Sequence, residues 1–319
     1  MPKMQAAAPQ RSIQGLSEAY HPPGQYFVAD EFAPVLPVDG TRFAYHTFDT
    51  IRQRILQDNT RAPGGDVNEV RWDVTENTGM TVERALQSAI DRKTVRDFGR
   101  SIAEDRAMRA VKDNMLIQRE ERIRALIQTE ANYPSSSYYT TLTGTSQWSD
   151  LENSDPEDDV RTAIEQVLSA SGLLPNKIMI PYEVANKLVQ HPVIKDVMIR
   201  DTRGSQSEAF KNDPNVNGLP SELWGLSVGV PKVTYVDSNP GQTESQAFLW
   251  GKKVWIGYVN SQPSVDTPSF AYQFTAQGLQ VGIGNSNIAG GGEYVEGVED
   301  DLQKVVGTRM GYLISAAVA

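Results

Sequence analysis

The sequence predicts a mixed α+β chain, with a central sheet covered by helices and long excursions that have little core of their own. Three observations point there. Residues 155–189 alternate helix, strand and helix in a compact run. Residues 227–283 carry a series of short apolar strands separated by Gly, Pro and Asn. A long charged stretch free of proline, 102–130, has the character of a single helix.

The elements follow in chain order. Residues 1–40 hold Pro22, Pro23, Pro34 and Pro37 among isolated apolar residues such as Phe27, Val28 and Phe32. Proline removes a backbone donor and restricts the residue before it, so this reads as an extended arm rather than a packed helix or a central strand. Its apolar residues have no local partner, which favours an arm laid on another surface over a disordered terminus. Residues 41–48, with Phe43 and Tyr45, predict a strand, and 67–74 predicts another, with Val70, Trp72 and Val74 in period two. Between them lies RAPGG at 61–65, in a span long for a hairpin turn.

Residues 81–130 are the clearest helical material. Val82, Leu86, Ile90, Phe98 and Ile102 recur near helical spacing, Thr81 suits an N-cap, and Glu83 falls in the first turn. Gly99 and Ser101 divide the stretch into a helix over 81–98 and a longer one over 102–130. In the second, Asp105 with Arg109, Arg109 with Asp113, and Glu120 with Arg124 sit at i,i+4, the pattern of a largely exposed rod. After a polar connection over 132–154, Asp155, Pro156 and Asp158 occupy N-cap, N1 and N3 of a helix that Gly172 ends. KIMI at 177–180 is a short buried strand, and 182–189 a second helix. Residues 201–220 form a loop. Strands are expected at 227–230, 232–236, 248–250, 253–259, 270–274 and 281–283, then a glycine loop at 290–292 and a buried strand within 311–318.

The 319 residues carry 30 Lys plus Arg against 40 Asp plus Glu, a net charge of -10. Phosphate-backbone binders normally show the opposite balance, since their affinity comes from counterion release, so tight general nucleic-acid binding is not expected. The same excess suits a wall lying close to nucleic acid without gripping it. With no cysteine, disulfides, thiolate metal sites and thiol catalysis are excluded. The opening MPKMQAAAPQ lacks a signal-peptide core and no stretch approaches a membrane span, so the product is expected to be made and kept in a cytoplasm.

Chemical constellations are weak throughout. His21, His46 and His191 form no metal-ligand motif, and His191, before Pro192, reads as local architecture. The acidic run Glu152, Asp155, Glu157, Asp158 and Asp159 lacks the alternation of a calcium loop and fits a helix N-terminus better. Gly282 and Gly284 make a G-x-G with no third glycine and no following helix, which reads as an ordinary glycine turn. Neither a nucleophile elbow nor a Walker lysine occurs. No catalytic residue, cofactor or metal is assigned.

Several segments, in order, carry a resemblance: APVLPV at 33–38, RAPGG at 61–65, TSQWSD at 145–150, SDPEDDV at 154–160, LLPNKIMIP at 173–181, ELWGL at 222–226, LWGKKVWIGYV at 249–259, PSFAYQF at 268–274 and RMGYLI at 309–314. Together they resemble the major capsid proteins of tailed double-stranded DNA bacteriophages, with the fold first described for phage HK97. The resemblance covers most of 30–319 and implies an HK97-like capsid fold: an N-terminal arm (1–40), an extended E-loop (41–76) with RAPGG near its tip, and a peripheral domain (77–154) containing the spine helix near 102–130. An axial domain (155–262), a peripheral-domain return (263–300) and a final axial strand region (301–319) complete it.

The resemblance further implies pentamers and hexamers closing an icosahedral shell around packaged double-stranded DNA, with only weak nonspecific contact to it. Portal, scaffold and decoration proteins are the other partners implied; a membrane is not. The location implied is the virion capsid, assembled in the host cytoplasm. Residues expected at intersubunit contacts are Phe27, Phe32, Arg61, Pro63, Gly64, Gly65, Trp72, Arg109 and Arg124, with Trp72 open to a local sheet-packing role instead. Some family members cross-link an E-loop lysine to an asparagine of another subunit, yet no lysine occurs between Met4 and Arg92 here. Three other readings stay open: a nanocompartment shell of the same fold around protein cargo, an unrelated α+β hydrolase, and an isolated phage decoration or adhesion protein.

Overall fold

The computed structural model describes residues 11–12, 14–48, 60–61, 74–90, 92–196, 218–238, 241–286 and 292–319. Two sheets organise the chain. The first has the order β1-β13-β14-β5, with β2 also on β13. Its centre is the antiparallel pair β13 (Ala271–Ser286) and β14 (Gly292–Val305), which run in register from Ala271↔Val305 to Ser286↔Gly292 with two irregularities between Thr275 and Gln280. β5 (Val82–Ile90) adds antiparallel to β14. On the other side, β1 (Arg11–Ser12) and β2 (Val35–Pro37) line the outer edge of β13.

The second sheet is mixed and six-stranded: β6 (Tyr139–Thr141), β15 (Gly311–Ser315), β12 (Val254–Gly257), β7 (Lys177–Met179), β9 (Leu226–Gly229) and β8 (Glu222–Leu223). It takes strands from both sides of the 155–262 segment. Helices α5 (Pro156–Ser171) and α6 (Tyr182–Leu188) cover it through Val160, Ala163, Val167, Val184, Ala185 and Leu188, all fully buried. The ends of α5 follow local chemistry. The Asp155 carboxylate accepts from the Glu157 and Asp158 amides, Pro156 fills the first turn, and Gly172 closes the helix at φ 69°, a left-handed conformation open to glycine.

Four expectations are corrected. Residues 82–90 are a strand, not the first part of a helix over 81–98, and Thr81 caps nothing. Val82, Leu86 and Ile90 lie four apart, a spacing that serves one face of a helix and equally one face of a strand, and pairing with β14 decides for the strand. Helix begins only at α3 (Arg92–Phe98), breaks at Gly99 (φ 91°) and resumes as α4 (Arg100–Gln128). Next, 270–274 and 281–283 are not two strands but parts of one, and Gly282 and Gly284 sit inside it rather than in a turn. Gly284 faces Tyr294 across the pair, and a Cβ there would lie 2.5 Å from that ring. The acidic partner β14 has no plain alternation in the sequence and is an unforeseen element.

The third correction concerns α4, which is not an exposed rod. Ala103, Ala107, Met108, Val111, Met115, Ile123 and Ile127 are buried along it, against β5, β14 and the N-terminal segment. Lastly, residues 14–37 are not an arm without a home. α1 (Gln14–Ala19) and α2 (Ala29–Phe32) lie on the chain's own α4, and Val28, Ala29, Phe32, Ala33 and Leu36 are buried in the cluster that joins the two sheets. Of the strand expected at 67–74, residues 67–73 lie outside the described residues. The strand seen there is β4 (Thr75–Met80), paired antiparallel with β3 (Arg42–Thr47).

Candidate assembly surfaces

Three features of this framework bear on function: the N-terminal strap, the base of the β3–β4 ribbon and the polar face of α4. The strap, residues 14–37, is held at several points. Lys112 on α4, itself buried, donates to the carbonyls of Ser17 and Tyr20, closing the C-terminal end of α1. Burial lowers the Lys112 pKa, an effect the Asp113 and Glu18 carboxylates partly offset. Tyr20 donates to Asp113 at 3.3 Å, and the Arg109 guanidinium stands 5.0 Å from the centre of its ring. Further on, Phe32 meets Trp255 edge to face at 5.5 Å, with Lys177 Nζ 5.7 Å from the Phe32 ring centre. Gly229 makes room for it, since a Cβ there would come within 2.8 Å of the ring.

The ribbon base is anchored by aromatic stacking. Phe43 lies 4.7 Å and Tyr45 5.1 Å from Phe274, and His46 Nδ1 is 2.8 Å from Asp266. A shallow cavity of about 550 Å³ lies along Arg42, Phe43, Ala44, Thr78, Gly79 and Met80. Met80 and Val82, where the ribbon meets the first sheet, are 56 % and 46 % exposed. Phe98 and Ile102, at the α3–α4 junction, are also largely exposed. The two pairs stand apart, Met80 and Val82 near the Asp301 end of β14 and Phe98 and Ile102 near its Glu293 end.

On the polar face of α4, Arg119 reaches Glu299 at 2.7 Å, Arg122 reaches Glu299 at 2.5 Å and Asp301 at 3.0 Å, and Arg84 of β5 reaches Asp301 at 2.5 Å. Glu299 and Asp301 are 1 % and 3 % exposed. These bonds pin the helix to β14 and β5 at a defined register, because either carboxylate left without its arginines would be a buried bare charge.

Of the residues expected at intersubunit contacts, Phe27 is half-buried against the chain's own core and Phe32 is wholly inside it. Arg61 is exposed. Pro63, Gly64, Gly65 and Trp72 lie outside the described residues. Arg109 pairs with Asp105 at 2.9 Å as expected for i,i+4. Arg124 does not pair with Glu120. It holds Glu121 through Nε at 2.6 Å, and Glu120 turns inward to other partners. That inward turn is legible in hindsight, because Glu120 stands three before Ile123 and seven before Ile127, inside the buried stripe.

The acidic run before α5 resolves into local roles: Asp155 caps, Asp159 accepts from Trp148 Nε1 at 2.8 Å, and Glu157 pairs with Arg161. His191 lies 3.3 Å from the Ser154 hydroxyl, and burial lowers its pKa. Among the described residues no three His, Asp or Glu side chains gather in a way that would hold a metal ion, and no helix is long and apolar enough to cross a membrane.

No family model matches the sequence, and no curated protein matches it. Solved structures do. A phage-related protein of Bordetella bronchiseptica RB50 superposes with a TM-score of 0.68 at 23 % identity, covering 98 % of this chain and 99 % of that one. The capsid structure of cyanophage P-SCSP1u gives 0.57 at 12 % identity over 93 % and 90 %. The mature capsid of bacteriophage PhiM1 gives 0.51 at 9 % identity over 93 % and 88 %. The fold is that of phage capsid subunits. More particularly, it is the HK97-like fold, an α+β arrangement built here from a paired ribbon, a long helix and two sheets.

Proposed function

We propose that this chain is a major capsid protein, assembling into pentamers and hexamers that close an icosahedral shell around double-stranded DNA. The observation that carries the reading is the sharing of one fold with capsid subunits over nine-tenths of the chain. In this reading the six-stranded sheet with α5 and α6 is the axial domain, the first sheet with α4 is the peripheral domain, and the β3–β4 ribbon is the base of the E-loop. No step of chemistry is required, since many modest contacts repeated by symmetry suffice to close a durable shell.

The exposed apolar pairs Met80 with Val82 and Phe98 with Ile102 support the reading, as does the charge of -10, which disfavours indiscriminate capture of phosphate backbones. The ribbon is where the reading is tested. Deleting residues 61–65, which include Arg61, Pro63, Gly64 and Gly65, should leave both sheets folded and abolish closed particles in electron microscopy and velocity sedimentation. Normal shells from the deletion variant would refute the assignment of the ribbon. Nucleic acid in purified particles, against packaged protein, separates a genome shell from a cargo compartment.

A further inference from the structure

The strap and α4 meet at a carboxylate that the assembly reading does not use. Glu120 is fully buried. Its Oε1 accepts from the Val28 amide at 3.0 Å and from Trp250 Nε1 at 2.8 Å, and its Oε2 accepts from the Ala29 amide at 3.0 Å. One side chain thus ties together the strap, the long helix and the segment that leads into β12. Gln128 reinforces the third of these by donating to the Trp250 carbonyl at 2.7 Å.

We infer that Glu120 is a titratable latch, holding the strap against α4 and Trp250 more firmly as pH falls and releasing it as pH rises. The inference stands on a single chain and does not depend on the shell reading. Its basis is the charge arrangement around the carboxylate. Among the described residues no cation pairs with it. On α4, Arg119 is engaged with Glu299 and stands 4.0 Å from Asp30, while Arg124 and Glu121 hold each other. From the strap come only acids: Asp30, and Glu31, which accepts from Tyr26 and lies 3.9 Å from Lys177. Beside Trp250, Lys253 is bonded to the Gln128 carbonyl and Lys252 to that of Ala319.

A carboxylate sealed from water without a counter-charge has two ways to relieve its desolvation. It can take up a proton, or the strap can lift and let water in. Burial pushes its pKa up and the nearby Asp30 adds to this, while the three donors hold it down, leaving it at about 7 against an ordinary 4.5. The closed form therefore binds a proton more tightly than the open form. Acid stabilises closure, and that stabilisation is lost as pH rises through the buried pKa. The opening equilibrium should rise on the order of tenfold from about pH 5.5 to about pH 8.

Hydrogen–deuterium exchange on the full-length chain tests this, reading the amides of 26–33 after correction for intrinsic exchange, with those of α5 as the internal reference. The expected result is opening of the strap that increases with pH in the native chain, is flat in Glu120→Gln, and leaves α5 unaffected. Trp250→Phe removes one donor to the charged form and so raises the buried pKa further, and the rise in opening should continue to higher pH before it levels off. A flat native profile, the same slope in Glu120→Gln, or a rise that levels off at the same or a lower pH in Trp250→Phe would each overturn the latch. The Trp250→Phe measurement stands by itself should the Gln variant fail to fold.

Discussion

Phe32 shows how one side chain fixes the meaning of a whole segment. Seen in the sequence, its apolar neighbours Val28 and Leu36 at i−4 and i+4 are cut off from a continuous helix by Pro34 and Pro37, and an arm reaching for another molecule is the natural inference. In the fold its partners are distant in sequence: Trp255 on β12, and Gly229 on β9, kept bare for the ring. Such a partnership leaves no local period to read. Truncation to alanine removes a fully buried aromatic from the junction of the two sheets, and Phe32→Ala should cost about 3–5 kcal/mol of unfolding free energy in urea titration. A loss below about 1 kcal/mol would mean the strap is not part of the folded core. The charged counterparts are as hidden from sequence reading. Glu299 and Asp301 stand in an acidic run that looks solvated, and only the arrival of Arg119, Arg122 and Arg84 from two other elements makes them buried partners.

At the scale of elements, α4 illustrates why a helix was plain in the sequence while its surroundings were not. Its length and freedom from proline are local properties, and so are the cap and stop of α5, all of which the residues announce. The strand at 82–90 was not legible because a four-residue recurrence fits both periods, and only pairing with β14 breaks the tie. The C-terminal end of α4 makes a sharper point. A helix leaves its last four carbonyls without internal partners. Here each has a side-chain donor: Thr129 Oγ1 to Ala125 at 2.5 Å, Asn132 Nδ2 to Leu126 at 2.7 Å, Tyr133 Oη to Ile127 at 2.6 Å, and Lys253 Nζ to Gln128 at 3.1 Å. The stop is therefore built, and it aims the chain toward β6. Tyr133→Phe deletes the most buried of the four while keeping the ring that stacks on Phe270 at 5.7 Å. It should lower stability by about 1–3 kcal/mol, because a buried carbonyl is left without its donor. Thermal unfolding that matches the native chain would show that this carbonyl has another partner.

For the whole molecule, the sequence disclosed the class of fold through the order of its segments, and it disclosed less of the assembly surface. Of the strap it suggested an outward arm, whereas the buried Val28, Phe32 and Leu36 show that much of this segment spends its apolar surface inside its own subunit. In the proposed shell the joining of copies would then fall to the ribbon and to the exposed pairs Met80 with Val82 and Phe98 with Ile102. How such joints are secured follows from composition. An amide made by a ribbon lysine is excluded, because no lysine occurs between Met4 and Arg92, and disulfides are excluded by the absence of cysteine. The proposed shell is therefore expected to hold by noncovalent contacts, each weak and reversible, with the sum made large by repetition. Purified particles boiled in denaturant should resolve as a single 35.2 kDa species on a denaturing gel. A ladder of multiples that survives boiling would mean a covalent joint made elsewhere in the chain, and its position would be read directly from the cross-linked peptide by mass spectrometry.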